Sequence, residues 1–305
     1  MASLNKSSYR IVAIPGEGIG PEVVEASLTI LRQVAQLEGF ALTINYGWLG
    51  GMALEKLGST FPPETSQQCE GSDGIVFGAV SQGGLLELRR HFDFFINLRP
   101  IRSCPYYDRE IRRIAKVALQ KAQERRGLLT VAHKENALPQ IPWTRLVQEE
   151  ATNFPDVVVS PMLVDNLAMQ LVLNPQQFDV ILAGNMFGDI LSDIGGALVG
   201  SIGLLGSASL NNQGLGMYEA IHGTAPDIAG KGIANPLGTL AGCVLMLQQW
   251  GEIKAAQRIL NAQERLLGKG YRTADLSPQN HEILVNTATL VDLFLEEISL
   301  EQPTQ

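Results

Sequence analysis

The sequence predicts an α/β protein with room for two domains, and three observations support this. Short apolar runs rich in β-branched residues recur along the chain, as at Tyr9–Pro15 and Asp73–Val80, and they are typical of buried strands. Amphipathic segments lie between them, most clearly Asp108–Arg126, where an apolar stripe lies opposite a charged face. The chain has 305 residues, 45% of them hydrophobic and 18% charged, which is enough for two globular domains or one large α/β domain.

Composition narrows the possible partners and location. The net charge of −8 and the pI near 5.1 leave no basic surface of the kind that binds nucleic acid or an anionic membrane. Cys69, Cys104 and Cys243 lie far apart without a CxxC spacing, so we expect neither a disulfide framework nor a zinc site. The first residues lack the pattern of a signal peptide, and glycine interrupts the longer apolar runs. We therefore expect a cytoplasmic protein without a membrane span.

The other predicted elements alternate in the same way. Pro21 at a first helical position and Gly39 beyond the last turn predict a helix between them. Met217–Pro236 is predicted as a loop, because five glycines and prolines fall within the fifteen residues after His222. Further strands are predicted at 40–46, 128–132, 156–160 and 178–183, and further helices at 161–173, 237–250, 253–267 and 281–298.

The loop after the first strand, GEGIGP at Gly16–Pro21, has two interpretations. A strand, a glycine-rich loop and a helix in this order are typical of dinucleotide-binding Rossmann folds. The spacing is GxGxGP instead of GxGxxG, however, and no acidic residue closes the second strand about twenty residues later. We therefore favour a tight turn that leads into a helix over a phosphate-binding loop.

The stretch GNMFGDILSD at Gly184–Asp193 holds two aspartates four residues apart. On a helix, Asp189 and Asp193 would lie on one face about a turn apart, where like charges repel each other unless a divalent cation binds between them. Carboxylate oxygens suit Mg²⁺ or Mn²⁺. We expect the neighbouring residues Met186, Phe187, Ile190 and Leu191 to be buried. The alternative to a metal site is a solvated acidic edge beside a core helix.

Two further charged residues lie in settings that favour function. Lys134 follows a predicted strand, and ligands of open α/β sheets gather at the carboxyl ends of strands. A lysine there can act as a general base, although a plain surface lysine is more common. Asp165 interrupts an apolar helix and needs a partner in that setting.

Arginines are frequent in the segment from Ser81 to Arg102, where apolar residues surround them. A guanidinium group in an apolar setting usually pairs with an anion, and its geometry suits a carboxylate. The anion could belong to a substrate or to an ordinary salt bridge within the protein.

Four motifs taken together resemble one family. GEGIGPEVV, LRPIR, GNMFGDILSD and HGTAPDIAGKGIANP occur in that order and span nearly the whole chain. They resemble the isocitrate/isopropylmalate dehydrogenase family, and the 3-isopropylmalate dehydrogenase branch in particular. The resemblance implies that family's own two-domain α/β fold, which is not a Rossmann fold. Its implied division is a cofactor-binding domain of residues 1–95 and 202–305, and a dimerisation and metal- and substrate-binding domain of residues 96–201.

The resemblance also implies a function and site residues. It implies a homodimer that oxidatively decarboxylates a small 3-substituted malate with NAD and Mg²⁺ or Mn²⁺, as in leucine biosynthesis. Lys134 and Asp165 match residues given by the partner subunit, the first assisting loss of the hydroxyl proton. The implied metal ligands are Asp165, Asp189 and Asp193. The implied substrate-binding residues are Arg89, Arg99, Leu85, Leu86 and Gln82. The implied cofactor-binding residues are Glu219, His222, Gly223, Ala225, Asp227 and Asn235.

Asp227 bears on the choice of cofactor. A carboxylate accepts hydrogen bonds from the ribose 2′-hydroxyl of NAD and repels the 2′-phosphate of NADP. NADP-using relatives tend to have lysine and tyrosine at the positions of Asp227 and Ile228, so the resemblance implies NAD.

The chain departs from the family in two places. Relatives carry several dozen residues between the LRP segment and the helix that begins near Asp108, including a core strand with a third arginine, a dimer-clasping arm and the tyrosine that acts as final acid. We therefore expect a reduced second domain, and neither Tyr106 nor Tyr107 can be assigned the acid role by motif.

Relatives that use isopropylmalate generally have glutamate where Gln82 stands, so a bulkier 3-substituent is an alternative. A catalytically impaired relative that keeps cofactor binding and dimerisation is the second hypothesis.

Overall fold

The computed structural model describes residues 6–97 and 108–300. The chain divides into two compact units, one of residues 1–97 and 200–305 and one of residues 98–199. The strands are β1 (Ser8–Gly16), β2 (Ala41–Tyr46), β3 (Gly74–Ala79), β4 (Ile96–Asn97), β5 (Leu128–His133), β6 (Val158–Leu163), β7 (Val180–Ala183), β8 (Gly206–Leu210), β9 (Gly216–Ala220), β10 (Tyr271–Arg272) and β11 (Ile283–Leu284). The helices are α1 (Gly20–Glu38), α2 (Gly51–Leu57), α3 (Pro63–Glu70), α4 (Leu85–His91), α5 (Asp108–Gln123), α6 (Trp143–Ala151), α7 (Val164–Leu173), α8 (Asn185–Val199), α9 (Leu237–Trp250), α10 (Ile253–Gly268) and α11 (Thr287–Leu300).

The first unit is built on a mixed sheet with the strand order β2-β1-β3-β9-β8-β4. β2, β1, β3 and β9 are parallel neighbours, whereas β8 runs antiparallel to β9 and β4 antiparallel to β8. Alternate residues of β1 enter opposite cores: Ile11 and Ala13 pack with α1, α9, α10 and α11, while Val12 and Ile14 pack with Leu88 of α4. This period of two explains why β1 reads as a continuous apolar run in the sequence.

The second unit has a parallel sheet with the order β6-β5-β7. Leu129 and Val131 of β5 pack in a cluster with α5 and α6, while Ala132 packs with α7 and α8. Helices therefore cover both faces of a parallel sheet, as expected for an α/β unit.

Two predicted segments are corrected by the structure. Met217–Ala220 belongs to the buried strand β9 instead of a loop, and its residues alternate between the two cores of the first unit. The glycines and prolines that suggested a loop come only after His222. Residues 281–286 do not begin the last helix, because β11 pairs with β10 there. The Asn286 side chain then accepts the backbone N–H of Thr289 at 2.8 Å, where α11 begins.

Candidate active site

The GEGIGP loop is a tight turn whose backbone groups bind within the first unit. The N–H of Glu17 donates to Ala79 (2.6 Å), that of Ile19 to Thr224 (2.9 Å) and that of Gly20 to Glu17 (3.0 Å). Gly16 and Gly18 have positive φ, and a Cβ on Gly18 would lie 2.0 Å from the carbonyl oxygen of Thr224. These glycines permit close backbone approach, and the three N–H groups are already used, as a tight turn requires and a phosphate loop does not.

Arg89, on α4, forms an ion pair with Glu219 of β9. The Arg89 Nη2 lies 2.7 Å from Glu219 Oε1, and the side chains are 16% and 10% exposed. The Nε of Arg89 is buried and has no hydrogen-bond partner within the described residues. Arg89 therefore has one donor engaged by the protein and another that makes no hydrogen bond within the described residues. The ion pair joins a residue that the sequence assigned to the substrate and one that it assigned to the cofactor.

Three of the other residues assigned to the substrate, Gln82, Leu85 and Leu86, come shortly before Arg89 in the chain. Gln82 is exposed on the short connection between β3 and α4. Leu85 is half-buried and Leu86 is 41% exposed at the first turn of α4. Arg99 lies outside the described residues, as do Tyr106 and Tyr107.

Apart from Glu219 in β9, the residues assigned to the cofactor follow this strand in the chain. His222 and Ala225 are half-buried, Gly223 and Asp227 are exposed, and Asn235 is buried directly before α9. The Asn235 side chain accepts the N–H of Leu237, the first residue of this helix, at 3.0 Å. Ala225 has a φ of 38°, which is uncommon outside glycine and marks a constrained turn.

Asp275 is a candidate that sequence reasoning missed. Its Oδ2 accepts hydrogen bonds from Asn235 (3.0 Å) and Ser201 (2.5 Å). It lies in a short 3₁₀ turn, Ala274–Leu276, forty residues beyond Asn235, and no motif surrounds it. Only the fold brings this carboxylate to the loop.

His222 is held in its neutral form. Burial lowers the pKa of its imidazole below the ordinary histidine value, although the charge of Asp275 opposes this shift. Its Nε2 is buried and has no hydrogen-bond partner within residues 6–97 and 108–300. A neutral ring with one unused nitrogen suits hydrogen bonding to a neutral polar ligand such as a nucleobase or a sugar.

In the second unit, Lys134 and Asp165 form an ion pair. The Lys134 Nζ lies 3.0 Å from Asp165 Oδ1, with side chains 27% and 64% exposed. Lys134 directly follows β5, and Asp165 lies in the first turn of α7, directly after β6. The hydrogen bond from Lys134 lowers the pKa of Asp165 below its usual range. Asp165 thus has the partner that its apolar helix predicted.

Asp189 and Asp193 lie one turn apart on α8, as the spacing predicted. Asp189 is half-buried and Asp193 is exposed. Two carboxylates on one helical face suit a hard divalent cation in their chemistry. The part of the chain that the structure describes contains no group of three or more histidine, cysteine, aspartate or glutamate side chains that could hold a metal ion. One chain therefore offers two of the three carboxylates together, and Asp165 is paired with Lys134.

The predicted burial of the apolar neighbours of these aspartates is wrong except at Leu191. Leu191 is buried, but Met186 and Ile190 are 59% and 55% exposed, and Phe187 is only half-buried. α7 packs against α8 through Leu167, Leu171 and Leu191. The same two helices also carry exposed apolar side chains, and we call these together the α7–α8 face. It consists of Met169, Val172, Leu173, Met186, Ile190, Leu198 and Val199.

Known proteins share the sequence pattern and the fold of this chain. The model of the family described as isocitrate/isopropylmalate dehydrogenase matches residues 10–107 and 103–294. A 3-isopropylmalate dehydrogenase of Aquifex aeolicus is 36% identical, over 95% of this chain and 97% of its own length. The chain belongs to the isocitrate/isopropylmalate dehydrogenase family. Its α/β fold is that of the family's solved structures and not a Rossmann fold.

Two solved structures of related dehydrogenases show the extent of the likeness. An isocitrate dehydrogenase from Methylococcus capsulatus has a TM-score of 0.83 and 27% identity, covering 95% of this chain and 99% of its own. A β-decarboxylating dehydrogenase from Thermococcus kodakarensis, in its apo form, has a TM-score of 0.83 and 29% identity, covering 95% and 96%. None of the helices in residues 6–97 and 108–300 has the length and apolar character needed to cross a membrane.

Proposed function

We propose that this chain oxidatively decarboxylates a 3-substituted malate, 3-isopropylmalate or a bulkier analogue, with NAD and Mg²⁺ or Mn²⁺. The observation that carries the proposal is the 3.0 Å ion pair between Lys134 and Asp165 at the carboxyl ends of β5 and β6. The family resemblance assigns both residues to the same subunit, and their ion pair supports this assignment although 31 positions separate them.

The residues of the chain have separate roles in this reaction. Arg89, and Arg99 by family resemblance, bind the substrate carboxylates, and Leu85, Leu86 and Gln82 contact the 3-substituent. Lys134 assists removal of the proton of the 2-hydroxyl group. Asp189 and Asp193 would hold the metal, with Asp165 of a second subunit. When bound, NAD would supply a hydride acceptor and the divalent metal would supply Lewis-acid chemistry.

The loop after β9 selects and orients the cofactor in this proposal. Glu219, Gly223, Ala225 and Asn235 belong to the cofactor site, and neutral His222 binds the adenosine half. The exposed carboxylate of Asp227 accepts the ribose hydroxyls of NAD and repels the 2′-phosphate of NADP. Asp275 joins the site because it fixes the side chain of Asn235.

The proposed assembly is a homodimer whose subunits meet through the α7–α8 face. Exposed apolar side chains grouped on one pair of helices are typical of an interaction site. The helices that carry it also carry Asp165, Asp189 and Asp193. Dimerisation through this face would therefore bring carboxylates of two chains close together.

The test is a panel of substrates. Purified protein is incubated with NAD, Mg²⁺ or Mn²⁺, and 3-alkylmalates, 3-arylmalates, isocitrate or tartrate, and NADH is followed by absorbance. We expect turnover with a 3-alkyl- or 3-arylmalate that stops on chelation of the metal. Folded protein that forms no NADH with any member of the panel would exclude this function.

The second candidate is a family member that binds the cofactor and dimerises without turnover. The alignment with the Aquifex aeolicus relative runs over 355 positions, more than the 305 residues of this chain, so that relative carries residues without a counterpart here. This candidate predicts NAD binding by calorimetry without metal-dependent turnover. Inserting a segment from an active relative before Asp108 should then restore activity, and an insert that folds but restores none would count against it.

A further inference from the structure

The Glu17 carboxylate joins two segments of the first unit. Its Oε1 accepts the N–H of Gly51 at 2.7 Å, and its Oε2 accepts both the N–H (3.0 Å) and the hydroxyl of Ser81. Gly51 is the first residue of α2, and Ser81 lies two residues beyond β3. One side chain on the turn after β1 therefore binds the beginning of a helix and the connection that leads to α4.

The packing around this carboxylate leaves no space for larger residues. A Cβ on Gly50 would lie 2.8 Å from Glu17 Oε1, and Gly50 has a φ of 77°. The N–H of Gly50 donates to Thr60 at 2.9 Å, while a Cβ on Gly84 would lie 2.3 Å from the oxygen of the same Thr60. The segment before α2, which contains Gly50, and the connection before α4, which contains Gly84, therefore both lie against Thr60, and Gly50 also lies against Glu17.

The side-chain oxygen of Gln82 lies near the Glu17 carboxylate. A Cβ on Gly51 would lie 3.0 Å from Glu17 Oε1 and 3.1 Å from Gln82 Oε1, so both oxygens lie beside the same point. A carboxylate at position 82 would put a second negative charge beside Glu17, and the two would repel each other. A neutral amide at position 82 avoids this repulsion.

Glu17 stays charged in this setting. Burial works against its ionised form, but the hydrogen bonds from Ser81 and Gly51 outweigh that effect, and the pKa of Glu17 lies below the ordinary glutamate value. Hydrogen bonds to a charged acceptor are stronger than those between neutral groups.

We propose that Glu17 is a positioning residue that fixes the Ser81–Gly84 connection and thereby sets where Gln82, Leu85 and Leu86 meet the 3-substituent of the substrate. This proposal rests on the function proposed above and adds to it a residue that contacts neither substrate nor cofactor. It makes the selectivity for the 3-substituent depend on the turn after β1.

The first test measures hydrogen–deuterium exchange and needs no activity. In Glu17→Gln, peptides covering residues 50–53 and 80–86 should exchange about tenfold faster or more, which is the effect of losing a hydrogen bond to a charged group. The control Glu64→Gln removes an exposed carboxylate from α3 and should leave these peptides unchanged. Equal exchange in Glu17→Gln and the unmodified chain would overturn the proposal.

The second test compares kcat/KM for 3-methylmalate and 3-isopropylmalate. Glu17→Gln should change the ratio of the two values by about tenfold, mainly through KM, because the pocket wall moves. An equal fall with both substrates would contradict the positioning role. If the unmodified chain is inactive with every malate, the proposed function fails and the exchange comparison alone decides the role of Glu17.

Ser81→Ala serves if Glu17→Gln does not fold. It removes only the hydroxyl donor and keeps the backbone N–H, so exchange across residues 80–86 should rise by a smaller factor than in the glutamate variant. No rise in a folded Ser81→Ala protein would overturn the proposal.

Discussion

Arg89 and Glu219 form a charge pair that is partly withdrawn from water. With only 16% and 10% of the side chains exposed, the two charges compensate each other where water screens them little. The exposed salt bridge between Arg145 and Glu149 on α6 is the opposite case, because solvent screens such a pair. Loss of one partner should therefore lower the free energy of unfolding much more for Arg89 and Glu219 than for the exposed pair on α6.

Arg89→Met should lower the free energy of unfolding by about 3 kcal/mol, because it leaves Glu219 buried without its cation. It should also raise KM for the substrate by one to two orders of magnitude, the loss of a hydrogen bond to a charged group. Urea denaturation and steady-state kinetics measure the two effects. Arg90→Met, an exposed neighbour on α4, is the matched control.

The double variant Arg89→Met/Glu219→Gln separates the two effects. It should regain part of the lost stability, because the uncompensated carboxylate is gone, yet it should not regain substrate affinity. A double variant as unstable as the sum of the two single variants would show that the pair does not couple.

Asp227 is the residue on which cofactor selectivity depends in our proposal. Asp227→Ala should lower the preference for NAD over NADP by about ten- to a hundredfold, because a charged hydrogen-bond acceptor and a repulsive charge are lost together. The ratio of kcat/KM for the two cofactors measures this effect, or the ratio of Kd if turnover is absent. Asp292→Ala on α11 removes an equally exposed carboxylate and should leave the ratio unchanged.

At the scale of elements, α10 and α11 are joined by one buried carboxylate. Glu297 on α11 accepts a hydrogen bond from Arg265 (2.8 Å) and another from Lys269, both near the end of α10, and its side chain is 6% exposed. The hydrogen bond from Lys269, supported by Arg265, holds the pKa of Glu297 below its ordinary value against the effect of burial.

The lowered pKa of Glu297 makes the free energy of unfolding depend on pH, and the direction of the dependence follows from the shift. Because the folded pKa lies below the unfolded value of about 4.3, the stabilisation is fully present above the unfolded pKa and is lost as the pH falls through the folded pKa. Glu297→Gln should lower the free energy of unfolding by about 1.5 kcal/mol at pH 7, and by progressively less below about pH 4. Urea titrations at several pH values measure the difference, and Glu296→Gln, an exposed neighbour, is the control. A cost that does not change with pH would exclude the ion-pair explanation.

At the scale of the whole molecule, the α7–α8 face decides the proposed assembly. Ile190→Glu puts a charge into an interface that is apolar, so it should weaken self-association by at least tenfold. Sedimentation velocity over a range of protein concentrations measures the change. Ile253→Glu changes a comparably exposed isoleucine, 58% against 55%, in the first unit and should leave association unaffected. An unmodified chain that is already monomeric would contradict the dimer.

The sequence predicted the bounds of an element well where the hydrophobic periodicity of that element was regular. β1, β3, α1, α5 and α9 begin and end close to the predicted residues, because their apolar patterns repeat over the whole element. β9 was missed because the glycines and prolines that follow it dominated its window. β11 was missed because a two-residue edge strand has too few residues to show alternation.

The sequence by itself determined the α/β class, the family resemblance and the spacing of Asp189 and Asp193, because helical and strand periods are local properties of the chain. Only the tertiary structure decided which charges meet. The partners Lys134 and Asp165, Arg89 and Glu219, and Asn235 and Asp275 are separated by 31 to 130 positions, and no local pattern records such distances. The structure also showed that Met186 and Ile190 are exposed in the single chain, because burial depends on what packs against a helix and not on its residues alone.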